Sequence, residues 1–160
     1  MPDVSAAQFR ELCGQFATGV SVVTARAADG SPAGMTANSF ASVSLVPPLI
    51  SVSIDESAEM HRVLADSDAL VVNILSDRQE AISRRFAEPH DRRFEGIAWE
   101  DDARGIPVLL ETLATIACTI EARVPAGDHT IVIARVIGGS TRAGAPLLYH
   151  RGEYLPPGNP

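Results

Sequence analysis

The period of the apolar residues changes several times along the chain, and each change marks an element. Ser5 and Gln8 have capping-box spacing, and Phe9, Leu12, Cys13 and Phe16 then recur at helical intervals. This predicts a helix from about Ala6 to Gln15, with Gly14 and Gly19 marking its end. Val20, Val22, Val23 and Thr24 are β-formers, Asp29-Gly30 has hairpin-turn chemistry, and Ala33 to Phe40 returns as a second strand.

Val46-Pro47-Pro48 breaks the chain before Leu49, Ile50, Val52 and Ile54, whose spacing suits a third strand. Ser57 is positioned to cap a short helix carrying Met60, Val63 and Leu64. Ala69 to Leu75 is a nearly continuous apolar run of strand length, and Asp77 with Glu80 opens a helix bearing Ala81, Ile82 and Phe86. His90 to Pro107 reads as a long polar loop with Trp99 turned inward.

The clearest pattern follows, where Ile116, Cys118, Ile120, Ala122 and Val124 alternate with Thr115, Ala117, Thr119, Glu121 and Arg123 as in a half-buried strand. Pro125-Ala126-Gly127-Asp128 turns it into a strand from His129 to Ile137, and Gly138-Gly139 leads through a loop to Leu147, Leu148 and Tyr149. Leu155 to Pro160 reads as a loose tail or dimer arm. Seven or so strands with two or three short helices, and no β-α-β alternation, point to a mainly β, antiparallel barrel in one domain spanning residues 1–160.

Composition narrows the chemistry. A formal charge of −7 argues against a nucleic-acid surface, and lysine is absent, so neither a Schiff base nor a P-loop lysine is available. Anion recognition must use arginine forks, hydroxyls or backbone N–H groups. Cys13 and Cys118 lie far apart and read as buried thiols, and His61, His90, His129 and His150 include no pair at metal spacing. With no apolar run of membrane-spanning length and no secretory leader pattern, the chain is read as cytoplasmic.

Several segments together resemble the flavin reductase-like family of FMN-binding split barrels. They are Phe16-Ala17-Thr18-Gly19-Val20, Gly34-Met35-Thr36-Ala37-Asn38-Ser39-Phe40, Ser42-Val43-Ser44 with Pro47-Pro48, Arg85-Phe86-Ala87, Gly127-Asp128-His129 and Pro146-Leu147-Leu148-Tyr149. The resemblance covers about Phe9 to Tyr154. It implies a Greek-key split barrel, a homodimer with its cleft near the subunit interface, and NADH- or NADPH-dependent reduction of FMN or FAD for a partner monooxygenase. Thr36, Ala37, Asn38 and Ser39 would line the flavin ring, where donors can stabilise the density that hydride arrival leaves on the N1 and O2 side. As residues alone, Thr36, Asn38 and Ser39 satisfy strand and turn hydrogen bonds just as well.

The same resemblance assigns Ser53, Asp55 and Ser57 to the flavin site, with hydroxyls and a basic residue expected at the phosphate. Here the stretch reads Asp55-Glu56-Ser57-Ala58-Glu59-Met60, which sets two carboxylates where a cation is usual. They either weaken phosphate binding or stand in solvent as first-turn helix charges. Arg85 is implied as a phosphate contact with Phe86 packing beside it, although an Arg84-Arg85 pair by itself reads as surface. His129 is implied on the nicotinamide side, positioning that ring or helping to protonate reduced flavin, and Tyr149 closes the same pocket or is a core tyrosine. Two other readings remain open: a non-catalytic flavin carrier or sensor, and a flavoprotein acting on a substrate of its own.

Overall fold

The computed structural model describes residues 3–89 and 92–156, so His90 and residues 157–160 of the expected tail lie outside the described residues. Helix α1 (Ala6–Gly14) begins as its sequence dictates, with Ser5 Oγ accepting the Gln8 N–H at 3.2 Å. Strands β1 (Thr18–Gly19), β2 (Ser21–Arg26) and β3 (Pro32–Ala37) follow, the last two joined through Asp29 and Gly30. Gly30 takes φ 86°, and Asp29 Oδ1 accepts from the Ser31 N–H at 2.9 Å.

Strands β4 (Ala41–Leu45) and β5 (Pro48–Asp55) form a second hairpin around the proline pair, and α2 (Glu59–Asp66), β6 (Ala69–Ile74) and α3 (Glu80–Ala87) come next. The remainder is β7 (Trp99–Asp101), β8 (Pro107–Leu109), β9 (Ala114–Ala126), β10 (His129–Thr141), β11 (Leu148–His150) and β12 (Glu153–Tyr154). The main sheet has the order β3-β2-β6-β9-β10-β5-β4, with every neighbouring pair antiparallel. The sheet does not close on itself, in keeping with the split barrel that the resemblance implied. No helix among the described residues is long and apolar enough to cross a membrane.

Alternation along β2 explains how the two faces of the sheet are used. Val23 and Ala25 enter the barrel core with Ile50, Val52, Ile54, Leu70, Val72 and Val132. Val20 and Val22 point the other way, into a second cluster with Leu75, Phe86, Leu109 and Leu147. Covering that outer face are α3, the β7–β8 hairpin and a small sheet of order β1-β11-β12. Buried Asn73 ties these layers, donating to Val22 O (2.9 Å) and Thr24 Oγ1 (3.0 Å) while accepting the Leu109 N–H (2.9 Å).

Several local expectations are corrected. Ser57 does not cap α2; Ala58 holds the N-cap position, because Ser57 donates both its N–H (2.7 Å) and its hydroxyl (2.6 Å) back to Asp55 Oδ1. Nor does Asp77 open α3. Gln79 is its N-cap, with its side-chain oxygen accepting the Ser76 N–H at 3.0 Å. The segment read as a loop after His90 contains the β7–β8 hairpin, whose turn is held by Asp102 Oδ1 accepting from Arg104 and Ile106 N–H groups. Helix α1 buries none of its residues, and Cys13 on it is exposed, whereas Cys118 is buried.

Candidate functional site

Two of the resembling segments, far apart in sequence, meet around one cavity. It has a volume of about 240 Å³ and is lined by residues 16–21 together with Ala37, Asn38, Phe40 and Ile74. Pairing of Ser21 with Ala37 brings the segments together, and Ser21 Oγ adds a bond to Ala37 O at 2.9 Å. On the other wall, Thr18 pairs with Tyr149 of β11. Thr18 Oγ1 is shielded from solvent and is the buried side-chain polar atom without a hydrogen-bond partner among the described residues.

Residues 36–39 divide by what their side chains do. Thr36 Oγ1 donates to Ser83 O at 2.6 Å and so fastens β3 to α3. Ser39 Oγ accepts the Ser53 N–H (2.9 Å) and donates to Ser53 O (3.1 Å), covering the β5 edge beyond the reach of β4. Ala37 is buried against the cavity, which leaves the exposed Asn38 amide as the side chain of the four free to meet a ligand.

A second cluster forms where β5 runs into α2. Asp55 stands opposite His129 across β5 and β10, and His129 Nδ1 lies 2.7 Å from Asp128 Oδ1. The Ser57 hydroxyl and then its N–H hold the Asp55 carboxyl below the ordinary value of 3.8, against a smaller opposing effect of burial. Glu59 pairs with Arg93 at 3.1 Å, and Arg93 also donates to Gly34 O (3.3 Å) and Glu88 O (3.0 and 3.2 Å). Arg93 is therefore a cation beside the acidic stretch that sequence reasoning missed. Its only signal was the Arg92-Arg93-Phe94 run inside a segment read as loop.

Other expected site residues lie elsewhere in the same chain. Arg85 donates to Glu95 O and lines a larger cavity of about 890 Å³ between the start of α3 and residues 96–98, 110, 111, 113 and 142–145. Phe86 is fully buried, edge-on to Phe94 with ring centroids 5.0 Å apart. Tyr149 packs edge-on against Tyr154 at 5.2 Å in the outer cluster. From Thr141 a series of backbone pairings runs through Ala114, Ile74, Leu75 and Leu147 towards β11, so Tyr149 and His129 belong to opposite ends of β10. One chain does not join them in a single pocket.

Residues 13–157 match the family model described as flavin reductase like domain. The chain is 41% identical over 146 residues to the FMN reductase (NADH) SmoA of Agrobacterium fabrum, covering 91% of this chain and 83% of that protein. It is also 41% identical over 150 residues to the reductase component of the flavin-dependent trigonelline monooxygenase of Acinetobacter baylyi, covering 94% of this chain but 48% of that protein. Among solved structures, the NADH:FAD oxidoreductase SgcE6 of Streptomyces globisporus, in complex with NAD and FAD fragments, superposes with a TM-score of 0.90 at 34% identity. That match covers 97% of this chain and 96% of the other.

Proposed function

The chain belongs to the flavin reductase-like domain family, and we propose that it passes reducing equivalents from NADH to FMN or FAD and releases the reduced flavin to a partner monooxygenase. The observation that carries this reading is the meeting of residues 16–21 with Ala37, Asn38 and Phe40 around one cavity beside which the Thr18 hydroxyl has no hydrogen-bond partner among the described residues. Phe16, Ala17, Val20, Ala37, Phe40 and Ile74 give it apolar walls, while Thr18 and Asn38 add polar groups. Such a lining fits a flat ring with one polar edge.

When bound, the flavin supplies the hydride acceptor. Ala37 keeps the wall shallow so that a ring can approach the backbone, and Asn38 offers it an amide. Thr36 and Ser39 hold that wall in place through α3 and β5. The Asp55–Ser57 stretch lies at the phosphate end, where the Ser57 hydroxyl and N–H would exchange Asp55 Oδ1 for a phosphate oxygen, and Arg93 supplies the cation beside it in place of Arg85. His129 orients the nicotinamide, its ring held by Asp128. Exposed apolar residues on and just after α1 and at the β4–β5 tip support a working homodimer, with Phe16 79%, Leu45 91% and Val46 92% exposed.

The test is NADH consumption by the purified protein with free FMN, FAD or riboflavin in air. Continuous flavin-dependent oxidation without any partner protein is expected, because reduced flavin that leaves the site reoxidises in solution. Flavin binding without NADH consumption would instead make the protein a carrier. An organic product formed without a partner would identify a substrate of its own.

A further inference from the structure

Among the described residues, every side-chain nitrogen or oxygen fully shielded from solvent but one has a hydrogen-bond partner. Thr24 Oγ1 reaches Pro107 O at 2.5 Å, Ser21 Oγ reaches Ala37 O, and Ser83 Oγ shares a 2.7 Å hydrogen bond with Tyr154 Oη. Thr18 is the exception among the described residues. A hydroxyl taken from water and given no partner lowers stability, so valine, with the same shape and a better fit to a strand, would serve the fold better at this position. The sequence nevertheless has threonine there.

Its location suggests why. Thr18 lines the cavity where most walls are apolar, and the neighbouring polar side chain of Ser21 is already engaged with Ala37 O. Pairing with Tyr149 fixes the Thr18 backbone, yet no hydrogen bond restrains its χ1. The hydroxyl is shielded from solvent where it stands, and rotation about χ1 can bring it to a ligand without breaking a hydrogen bond.

We infer that the Thr18 hydroxyl is a hydrogen-bonding contact for the pyrimidine edge of the flavin ring; this rests on the reading that the cavity takes a flavin. A hydroxyl both donates and accepts, which suits an edge carrying two carbonyls and an N–H, whereas the dimethylbenzene end carries neither donor nor acceptor. One polar contact on an apolar wall thus selects the orientation of the ring. The contact is to the ring and not to the phosphate, so FMN and riboflavin should feel its loss equally.

Thr18→Val and Thr18→Ser separate this role from a structural one. Two quantities are read: the melting temperature of the flavin-free protein, and the dissociation constants for FMN and riboflavin from flavin fluorescence. Thr18→Val should melt no lower than the parent, and by up to about 4 °C higher, because an unpaired buried hydroxyl has gone. It should bind both flavins roughly tenfold more weakly, while Thr18→Ser stays within about twofold of the parent. A lower melting temperature for Thr18→Val would mean that the hydroxyl serves the fold, and overturns the inference. Unchanged flavin affinity, or an equal loss in Thr18→Ser, overturns it as well. If the parent binds neither flavin, the flavin reading itself fails and the inference goes with it.

Discussion

Glu59 and Arg93 form an ion pair of 3.1 Å that joins the first turn of α2 to the segment before β7. Its two sides are unequal. The Arg93 side chain is 17% exposed and anchored by the carbonyls of Gly34 and Glu88, while Glu59 stands largely in solvent. Exposed ion pairs contribute little to stability. The effect of Glu59 is better sought in the charge it cancels, since Arg93 is the cation beside the acidic 55–59 stretch.

Glu59→Gln should therefore tighten FMN by about two- to fivefold at low salt, the range expected for losing one exposed charge interaction, with the gain shrinking as salt is added. Riboflavin lacks the phosphate and should bind as before. Isothermal titration with both ligands reads the difference, and an equal response of the two would remove Glu59 and Arg93 from the phosphate end. Arg93→Ala is the less informative change, because it also releases the Gly34 and Glu88 carbonyls.

Gly34 is a packing requirement that the site inherits. A Cβ at this position would stand 2.5 Å from Phe86 Cε1 and 3.2 Å from Phe94 Cζ. Phe86 is fully buried and held edge-on by Phe94, so its ring has nowhere to retreat. Gly34→Ala should cost roughly 1–3 kcal/mol in urea unfolding, the usual range for overpacking. It should weaken flavin binding too, because Thr36, two residues on, is tied through Ser83 to the helix that must move. A change within about 0.5 kcal/mol would mean the interior can adjust.

What was legible in the sequence was local. Ser5 and Gln8 announce the α1 cap because both partners lie within one helical turn, and residues 115–124 announce β9 because Cys118 is buried and Ile120 and Ala122 half-buried while Thr119, Glu121 and Arg123 between them are exposed. Ser57 misled because Asp55, two residues earlier, competes for its N–H and hydroxyl. Strands β7 and β8 are three residues each, too short to show a period, and β7 carries Glu100 and Asp101. Arg93 and Thr18 lay beyond sequence reasoning for another reason. One is defined by a partner far away in the chain, and the other by the lack of any partner once the chain is packed.

Helix α1 calls for a covering surface. It has nine residues and buries none, and isolated helices of that length are marginal in water. Its apolar stripe, Phe9, Leu12 and neighbouring Phe16, is exposed in the single chain. Light scattering should give a dimer mass at micromolar concentration, and the Leu12→Glu, Phe16→Glu double variant should shift it towards monomer. Helical circular dichroism should fall with the mass as α1 loses its cover. A parent protein that scatters as a monomer would overturn the dimer.

His129 offers the sharpest test of the nicotinamide side. It opens β10 opposite Asp55, and a proton on Nδ1 lets it donate to Asp128 Oδ1 while Nε2 remains an acceptor for a ligand. If the ring orients a nicotinamide over the flavin, His129→Ala should lower the rate of flavin reduction by up to about a hundredfold, the loss associated with misplacing two reacting groups. Flavin affinity should stay within about twofold, because His129 does not line the cavity proposed for the flavin ring. Stopped-flow bleaching of pre-bound oxidised flavin at saturating NADH isolates that step from flavin loading. A raised NADH requirement with an unchanged limiting rate would limit the histidine to uniform binding of the dinucleotide. Asp128→Ala should reproduce a smaller part of the same defect, since it frees the ring without removing it. If neither variant changes the rate or its NADH dependence, His129 is a residue of the β9–β10 turn and the nicotinamide is oriented by other groups.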